Sequence, residues 1–222
     1  MLISNSISAR RRLTSSGLLL YGISDRSQFP GISLQTYLGL LVSSRAQLLQ
    51  WREKDLSLKE SLPLIREGIR LTHLEGKLFF VNSLVEVALQ ENADGVHLPG
   101  HLSVSHAISL RSQSGRKDFI IGKSVHSVEE GILAEKEGAD YVFLSPIFPP
   151  RSKKSETPPL GLSGFRKAIR LIHIPVFALG GIKQSHFEVL LDAGAAGVAG
   201  ISWFHEELGA KLRHLPREGI FE

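Results

Sequence analysis

The stretch from residue 121 to residue 154 carries the side chains of this chain that are best suited to chemistry. Ser124 and His126 follow one apolar run, and Lys153 lies in the loop after the next apolar run, Tyr141–Leu144. A hydroxyl, an imidazole and an ammonium group suit an anionic ligand and a proton transfer, because imidazole exchanges protons near neutral pH. We therefore predict that Ser124 and Lys153 bind an anion and that His126 moves a proton. The alternative for His126 is a structural hydrogen bond.

Two further cations follow the apolar run Leu48–Trp51. Side-chain alternation along an extended chain places Arg52 and Lys54 on the same side. A guanidinium and an ammonium group together can hold a phosphate or a diphosphate, since the guanidinium fork matches phosphate oxygens. The alternative is a surface network of ion pairs with Glu53 and Asp55.

Two polar residues end neighbouring apolar runs. Asn82 is predicted to donate or accept a hydrogen bond with a ligand, whereas Ser83 next to it is predicted to cap the following helix. His97 is either a satisfied interior imidazole or a ligand contact, and the sequence does not separate these two.

Eight apolar runs that alternate with segments of helical periodicity must position these residues. The runs are Leu18–Ile23, Leu48–Trp51, Leu78–Val81, Gly95–Leu98, Phe119–Ile121, Tyr141–Leu144, Val176–Leu179 and Gly197–Ile201. Runs that are apolar throughout indicate buried parallel strands. Eight strand–helix units predict an α/β fold, a single-domain (β/α)8 TIM barrel. A doubly wound open sheet is the alternative, but no G-x-G-x-x-G turn follows the first run.

In such a barrel the loops after strands seven and eight commonly hold a phosphate, because bare backbone N–H groups and a helix start face the anion there. Gly180 and Gly181 follow the seventh run, and Ile201 and Ser202 follow the eighth. A glycine pair alone could be a tight turn, but two such strand ends side by side predict a phosphate site at these four residues.

Composition limits the remaining classes of function. The 222 residues suit one domain, which we place at residues 17–222 after an amino-terminal extension, residues 1–16. The absence of cysteine excludes disulfides, thiolate catalysis and zinc–thiolate sites. The arginines at residues 10–12 lack an aromatic stripe, and Leu18–Ile23 is too short for a signal sequence or a membrane span. We expect a cytoplasmic location and no nucleic-acid or membrane partner.

Taken together, these residues resemble the thiamine phosphate synthase/TenI superfamily over residues 18 to 203. The matching segments are QWREK at 50–54, VNSLVEVAL with ADGVHL from 81 to 98, GKSVH at 122–126, GADYVFLSPIFPPRSKK at 138–154, PVFALGGI at 175–182 and AGAAGVAGIS at 193–202. The resemblance implies a TIM barrel that acts in thiamine biosynthesis. The synthase of this superfamily joins a hydroxymethylpyrimidine diphosphate to a thiazole phosphate and releases pyrophosphate.

The resemblance also implies the ligand contacts. The residues that it assigns to the pyrimidine diphosphate are Arg52, Lys54, Asn82, Ser124 and Lys153. Those that it assigns to the thiazole phosphate are Gly180, Gly181, Ile201 and Ser202.

Two departures from the synthase pattern concern the Mg²⁺ ligands. The pattern has carboxylates after strands three and four, where this chain has Ser83 and Leu102. Mg²⁺ prefers carboxylate oxygens, so we expect no metal and no cofactor here. A tautomerase of the TenI-like branch, which moves a proton on a thiazole phosphate carboxylate, needs no metal. The resemblance therefore predicts an isomerase with His126 as its proton-transfer residue.

Two alternatives remain open. One is a thiamine phosphate synthase that uses Mg²⁺ held by relocated ligands such as Glu53, Asp55 or Asp94. The other is a non-catalytic binder or regulator that recognises a phosphate ligand. The expected partner is a phosphorylated thiazole, with the pyrimidine diphosphate added for a synthase, and a homodimer is left open.

Overall fold

A computed structural model describes residues 12–14, 17–149 and 158–214. Eight parallel strands form a closed barrel in chain order, and β1 pairs with both β2 and β8. The strands are β1 Leu19–Ile23, β2 Leu48–Trp51, β3 Leu78–Asn82, β4 Gly95–Leu98, β5 Ile120–Val125, β6 Tyr141–Leu144, β7 Val176–Ala178 and β8 Gly197–Gly200. The predicted (β/α)8 barrel is confirmed.

A helix follows each strand. The helices are α1 Leu34–Ser43, α2 Leu58–Leu74, α3 Val85–Gln90, α4 Val104–Ser114, α5 Val128–Lys136, α6 Gly161–Leu171, α7 Phe187–Asp192 and α8 Ser202–Leu212. Serine hydroxyls cap several of them, and at α2 Ser57 and Glu60 form a reciprocal capping box. None of the helices in the described ranges is long and apolar enough to cross a membrane.

The cap predicted at Ser83 is wrong. Leu84 occupies the N-cap position of α3, and Ser83 has a left-handed backbone with φ 65°. Its hydroxyl oxygen accepts a hydrogen bond from Nδ2 of Asn82 at 2.7 Å. Ser83 therefore orients a predicted ligand contact instead of opening a helix.

Strand β5 is longer than the apolar run that predicted it. The run stops at Ile121, whereas the strand continues to Val125 and includes Lys123 and Ser124. Both polar side chains have partners inside the protein, Lys123 among carbonyl groups and Ser124 with His97. Polar residues can continue a buried strand when their hydrogen-bonding groups are satisfied.

Aromatic rings fill the interior of the barrel. The ring of Tyr21 lies 5.2 Å from that of Phe80, 4.8 Å from that of Phe143 and 5.7 Å from that of Phe177, measured between centroids. All four side chains are buried. Burying each ring stabilises the fold by about 1.5–3 kcal/mol. This packed layer supports the carboxyl ends of the strands.

Leu13 belongs to the same interior cluster, although it precedes β1. Its side chain is 2% exposed, and Arg12 beside it donates from Nη1 to the carbonyl oxygen of Gly76 at 2.7 Å. Gly76 precedes β3, which places this segment at the amino-terminal end of the barrel. Most of the predicted extension, residues 1–16, lies outside the described residues, but Leu13 is part of the core.

Replacing Leu13 with alanine should lower the free energy of unfolding by about 2–4 kcal/mol, because the change removes buried methyl groups from a packed interior. Urea unfolding followed by circular dichroism measures the change. The matched control is Leu74→Ala, where the leucine is 73% exposed and the expected change is within about 0.5 kcal/mol. Equal effects of the two substitutions would show that Leu13 contributes nothing to the core.

Candidate active site

The carboxyl ends of β2 and β3 bring two amide side chains into contact. Nε2 of Gln50 donates to Oδ1 of Asn82 at 2.9 Å, and Asn82 in turn donates to Ser83. Gln50 is 2% exposed, yet its Oε1 has no hydrogen-bond partner in the described part of the chain. The pair leaves Oε1 of Gln50 as a buried acceptor without a partner among the described residues.

A chain of four hydrogen-bonded side chains runs through the interior to the end of β5. The hydroxyls of Tyr21 and Tyr141 are 2.9 Å apart, and the Tyr141 hydroxyl lies 3.1 Å from Nδ1 of His97. Nε2 of His97 lies 2.8 Å from Oγ of Ser124. Ser124 is half-buried and the other three are buried, so Ser124 is the end of this network nearest to solvent.

His97 is a satisfied interior imidazole, since both of its ring nitrogens have partners. Burial, and then the positive charges of Lys123 and Arg52, lower the pKa of His97 to about 3. The ring is therefore neutral at physiological pH and holds the hydroxyl of Ser124 in place.

The sequence left open a surface network of ion pairs between Arg52, Lys54 and the neighbouring carboxylates. Arg52 and Lys54 form no such network among the described residues. Neither pairs with a carboxylate anywhere in residues 12–14, 17–149 and 158–214, and Arg52 is half-buried while Lys54 is exposed. Glu53 instead accepts a hydrogen bond from the backbone N–H of Arg26 at 2.8 Å, and Asp55 pairs with the Arg26 guanidinium at 2.5 Å. The side-chain charge of Arg52 is thus available to an anion.

His126 is exposed and lies at the end of β5. Its Nδ1 donates to the carbonyl oxygen of Ser145 at 2.9 Å, which leaves Nε2 for other partners. It makes no hydrogen bond with Ser124, whose partner is His97. The structure therefore places His126 at the rim of the mouth, next to the β6 end.

Lys123 is a buried residue of this region that sequence reasoning did not single out. Its Nζ donates to the carbonyl oxygens of Pro99 at 3.2 Å and Gly100 at 2.9 Å, and also to that of Leu102. Alternation along β5 was the available signal, because it puts Lys123 on the face opposite Ser124. This buried ammonium group holds the loop after β4 on the face of β5 opposite Ser124.

The four residues predicted to hold a phosphate line one cavity of about 170 Å³ at the ends of β7 and β8. Gly180 and Gly181 have φ of +88° and +65°, and a Cβ on Gly181 would lie 2.4 Å from the carbonyl oxygen of Phe148. Ile201 and Ser202 form the other wall, where α8 begins. The first N–H groups of a helix have no partners within it, so they can face an anion.

The last predicted contact, Lys153, lies outside the described residues, and its role stays a prediction. The remaining five residues predicted around the mouth come from three strand ends: Arg52 and Lys54 from β2, Asn82 from β3, and Ser124 and His126 from β5.

The residues present do not fit a protein-held Mg²⁺. No group of three or more His, Cys, Asp or Glu side chains converges in the described ranges. The relocated ligands considered from the sequence are also dispersed: Glu53 and Asp55 contact Arg26, while Asp94 accepts from the backbone N–H of Phe79 at the start of β3. A hydroxyl at Ser83 and an alkyl chain at Leu102 do not replace carboxylate ligands.

Comparison with known proteins shows which family the chain belongs to. A family model described as thiamine monophosphate synthase matches residues 20–204, which is the barrel from β1 to the start of α8. The chain belongs to this family. The resemblance predicted from the strand-end motifs is confirmed.

Two similar proteins are named thiamine-phosphate synthase, and a similar solved structure is named thiamine phosphate pyrophosphorylase. A thiamine-phosphate synthase of Caldanaerobacter subterraneus is 32% identical over 90% of this chain and 92% of its own length. A thiamine-phosphate synthase of Pyrococcus abyssi is 36% identical over 83% of this chain and 86% of its own length. The solved structure of a thiamine phosphate pyrophosphorylase from Pyrococcus furiosus matches with a TM-score of 0.72 and 32% identity, over 92% of this chain and 97% of its own.

The predicted isomerase is therefore wrong. These relatives are named as synthases, which are transferases, and none of the three is named as a tautomerase. The prediction rested on two missing carboxylates, at Ser83 and Leu102, and gave that local difference more weight than the rest of the match. The enzyme class supported for this family member is a transferase.

The neutral His97 makes stability depend on pH. Its folded pKa of about 3 lies below the ordinary value of 6.5, so the unfolded state binds more protons as the pH falls below about 6.5. Between pH 7.5 and pH 5.0 this group alone should remove about 2 kcal/mol from the free energy of unfolding. Urea unfolding at the two pH values, repeated with His97→Gln, measures it. The prediction fails if both proteins lose the same amount.

Replacing Gly181 with alanine should destabilise the protein by more than the cost of a left-handed backbone alone. Gly76 has nearly the same φ, +66° against +65°, but a Cβ there would meet nothing within 4 Å. Both alanine variants carry the cost of a left-handed residue, and Gly181→Ala adds a clash with backbone atoms. We expect Gly181→Ala to lower the free energy of unfolding by at least about 1 kcal/mol more than Gly76→Ala, measured in urea. Equal losses would contradict the close packing of this loop.

Proposed function

We propose that this chain is a thiamine-phosphate synthase, which joins a hydroxymethylpyrimidine diphosphate to a thiazole phosphate and releases pyrophosphate. The observation that carries the proposal is that two regions suited to anions lie at the carboxyl ends of the strands. One contains Arg52 after β2, which pairs with no carboxylate among the described residues, and the other is the glycine cavity at the ends of β7 and β8. Two substrates that each carry phosphate need two such regions, whereas a single phosphorylated ligand needs one.

The diphosphate is assigned to the side of the mouth formed by β2, β3 and β5. Arg52 would donate two hydrogen bonds to phosphate oxygens, and Lys54 would add positive charge. Ser124 would donate its hydroxyl hydrogen while His97 fixes the position of that hydroxyl. When the bond to the diphosphate breaks, negative charge grows on the leaving oxygens, so donors already in place stabilise the transition state.

The thiazole phosphate is assigned to the opposite side of the mouth. Backbone N–H groups at Gly180, Gly181 and the start of α8 would hold its phosphate, and the thiazole ring would then extend toward the barrel axis. Positioning of this kind lowers the barrier because it fixes two reactants in a productive geometry before the bond forms. The proton transfer predicted for His126 belonged to the isomerase reaction, and no step of the coupling is assigned to it.

Phosphate contacts from side chains take the place of a carboxylate-held metal in this proposal. Because Ser83 and Leu102 supply no carboxylate, we propose that the chain itself holds no Mg²⁺ at the mouth. The cytoplasmic location and the homodimer remain predictions.

The proposed activity is tested by mixing the two substrates and measuring pyrophosphate release and thiamine phosphate formation. We expect turnover by the wild-type chain and a loss of about ten- to a hundredfold in kcat/KM for Arg52→Met, because charged hydrogen bonds to the diphosphate disappear. The control Arg70→Met removes an exposed arginine that pairs with Glu67 on α2 and should leave kcat/KM unchanged.

Two outcomes of this assay would contradict the proposed function or its assignment of the diphosphate. If the wild-type chain binds thiazole phosphate but forms no thiamine phosphate, the synthase proposal is wrong and the non-catalytic binder is favoured. If turnover occurs but Arg52→Met matches the wild type, the assignment of the diphosphate to β2 is wrong.

The metal proposal is tested by titrating the protein with MgCl2 alone in a calorimeter. We expect no saturable binding up to about 5 mM, since Mg²⁺ binds proteins through carboxylates that this mouth lacks. Saturable binding of one Mg²⁺ per chain in the absence of substrate would contradict the proposal, whatever the effect of Mg²⁺ on turnover.

A further inference from the structure

The backbone N–H group of Arg52 is held by a serine side chain from the neighbouring strand end. Arg52 is the first residue after β2, and Ser24 is the first residue after β1. The Arg52 N–H donates to Oγ of Ser24 at 2.8 Å, and Ser24 is 1% exposed. The position of the Arg52 backbone thus depends on one buried hydroxyl group.

This hydrogen bond takes the place of a further bond between the main chains of the two strands. The pairing of β1 with β2 continues past Ile23, because the N–H of Ser24 donates to the carbonyl oxygen of Gln50 at 2.9 Å. In a regular parallel pair the next donor, the N–H of Arg52, would reach the carbonyl oxygen of Ser24. It bonds to the hydroxyl of the same residue instead. Main-chain pairing therefore ends here, and a side chain fixes the start of the loop after β2.

The loop after β1 also holds the next residues of the loop after β2. The N–H of Arg26 donates to the Glu53 carboxylate at 2.8 Å, and the Arg26 guanidinium pairs with Asp55 at 2.5 Å. Both acidic residues are thereby engaged with the loop after β1. Arg52 and Lys54, which alternate with them, pair with no carboxylate among the described residues. The contacts between the two loops thus leave the two cations without a competing carboxylate.

We propose that Ser24 is a positioning residue for Arg52 in the binding of the substrate diphosphate. The proposal rests on the proposed function, which assigns the diphosphate to Arg52. A guanidinium makes paired hydrogen bonds to phosphate oxygens only when its planar fork meets them in the right orientation. Ser24 fixes the backbone from which this side chain extends, so less conformational freedom is lost when the anion binds. Ser24 acts through Arg52 and contacts no ligand itself.

A buried serine can also serve the fold alone, and Ser44 is an example in the same chain. Ser44 is 4% exposed, and its Oγ donates to the carbonyl oxygen of Leu41 at 2.7 Å. It lies between α1 and β2, so it precedes β2 whereas Arg52 follows β2. Ser44→Ala therefore removes a buried hydroxyl at the opposite end of this strand, and it is the matched control for Ser24→Ala.

A double-mutant cycle on pyrophosphate binding tests the proposal. Sodium pyrophosphate alone, without added metal, is titrated in a calorimeter into the wild type, Ser24→Ala, Arg52→Met and the double variant. We expect Ser24→Ala to weaken binding by about three- to tenfold in the wild-type background. In the Arg52→Met background the same change should alter the affinity by less than about twofold, because no guanidinium is left to position. Ser44→Ala should leave the affinity within about twofold in both backgrounds.

Hydrogen exchange of the wild-type chain gives a second measurement, which stands by itself if Ser24→Ala does not fold. The N–H of Lys54 makes no hydrogen bond with the described residues, whereas that of Arg52 bonds to Ser24. After correction for intrinsic rates, the Arg52 N–H should therefore exchange at least about tenfold more slowly. Saturating pyrophosphate should slow it further, because a ligand that binds the ordered loop stabilises that loop.

The outcomes separate this proposal from the proposed function. An equal effect of Ser24→Ala in both backgrounds, or no effect in the wild-type background, overturns the role of Ser24. Exchange of the Arg52 N–H as fast as that of Lys54, or unchanged by pyrophosphate, overturns it as well. So does a lack of pyrophosphate binding by the wild type up to about 10 mM, since millimolar affinity is the weak limit for such a site.

Turnover is measured on the same variants with the two substrates. Turnover by the wild type together with an additive cycle overturns the role of Ser24 and leaves the function intact. A non-additive cycle in a chain without turnover overturns the function and supports the role of Ser24.

Discussion

Closure of eight parallel strands forces their inward side chains into one narrow interior, and every polar group there must find a partner within the protein. The hydrogen bonds from Tyr21 through Tyr141 and His97 to Ser124 meet this requirement over the depth of the barrel. They also bring a fixed hydroxyl to the mouth, where a ligand can use it. Among the described residues, Oε1 of Gln50 is an interior side-chain atom that departs from this rule, because it is buried and has no hydrogen-bond partner.

Much of the fold could be predicted because buried parallel strands are apolar and serine opens several helices. The exceptions share a cause. Strand β5 was predicted too short because Lys123 and Ser124 look like loop residues until their tertiary partners are known. Leu13 was assigned to an extension because nothing local distinguishes a leucine that fills a barrel from one in a loose terminus. Interactions between residues that are far apart in the chain leave no periodic signal in the sequence.

The site was predicted in part. Strand-end position and side-chain type were enough to name Arg52, Asn82 and Ser124, and the structure places all three around one mouth. Chemistry was harder to predict than position. Two missing carboxylates pointed to an isomerase, whereas the family and its named relatives point to a transferase. Negative charge on phosphate can be neutralised by side chains as well as by a metal, so the loss of metal ligands alone does not identify the reaction.

The position of Leu13 has a consequence for how the chain reaches its final state. The residues around it come from strands spread along the chain, and the barrel closes only when β8 pairs with β1. During synthesis Leu13 leaves the ribosome before any of the strands that surround it, whereas its site in the core includes Ala199 of β8. Leu13 can therefore gain its full set of core contacts only after the last strand has been made.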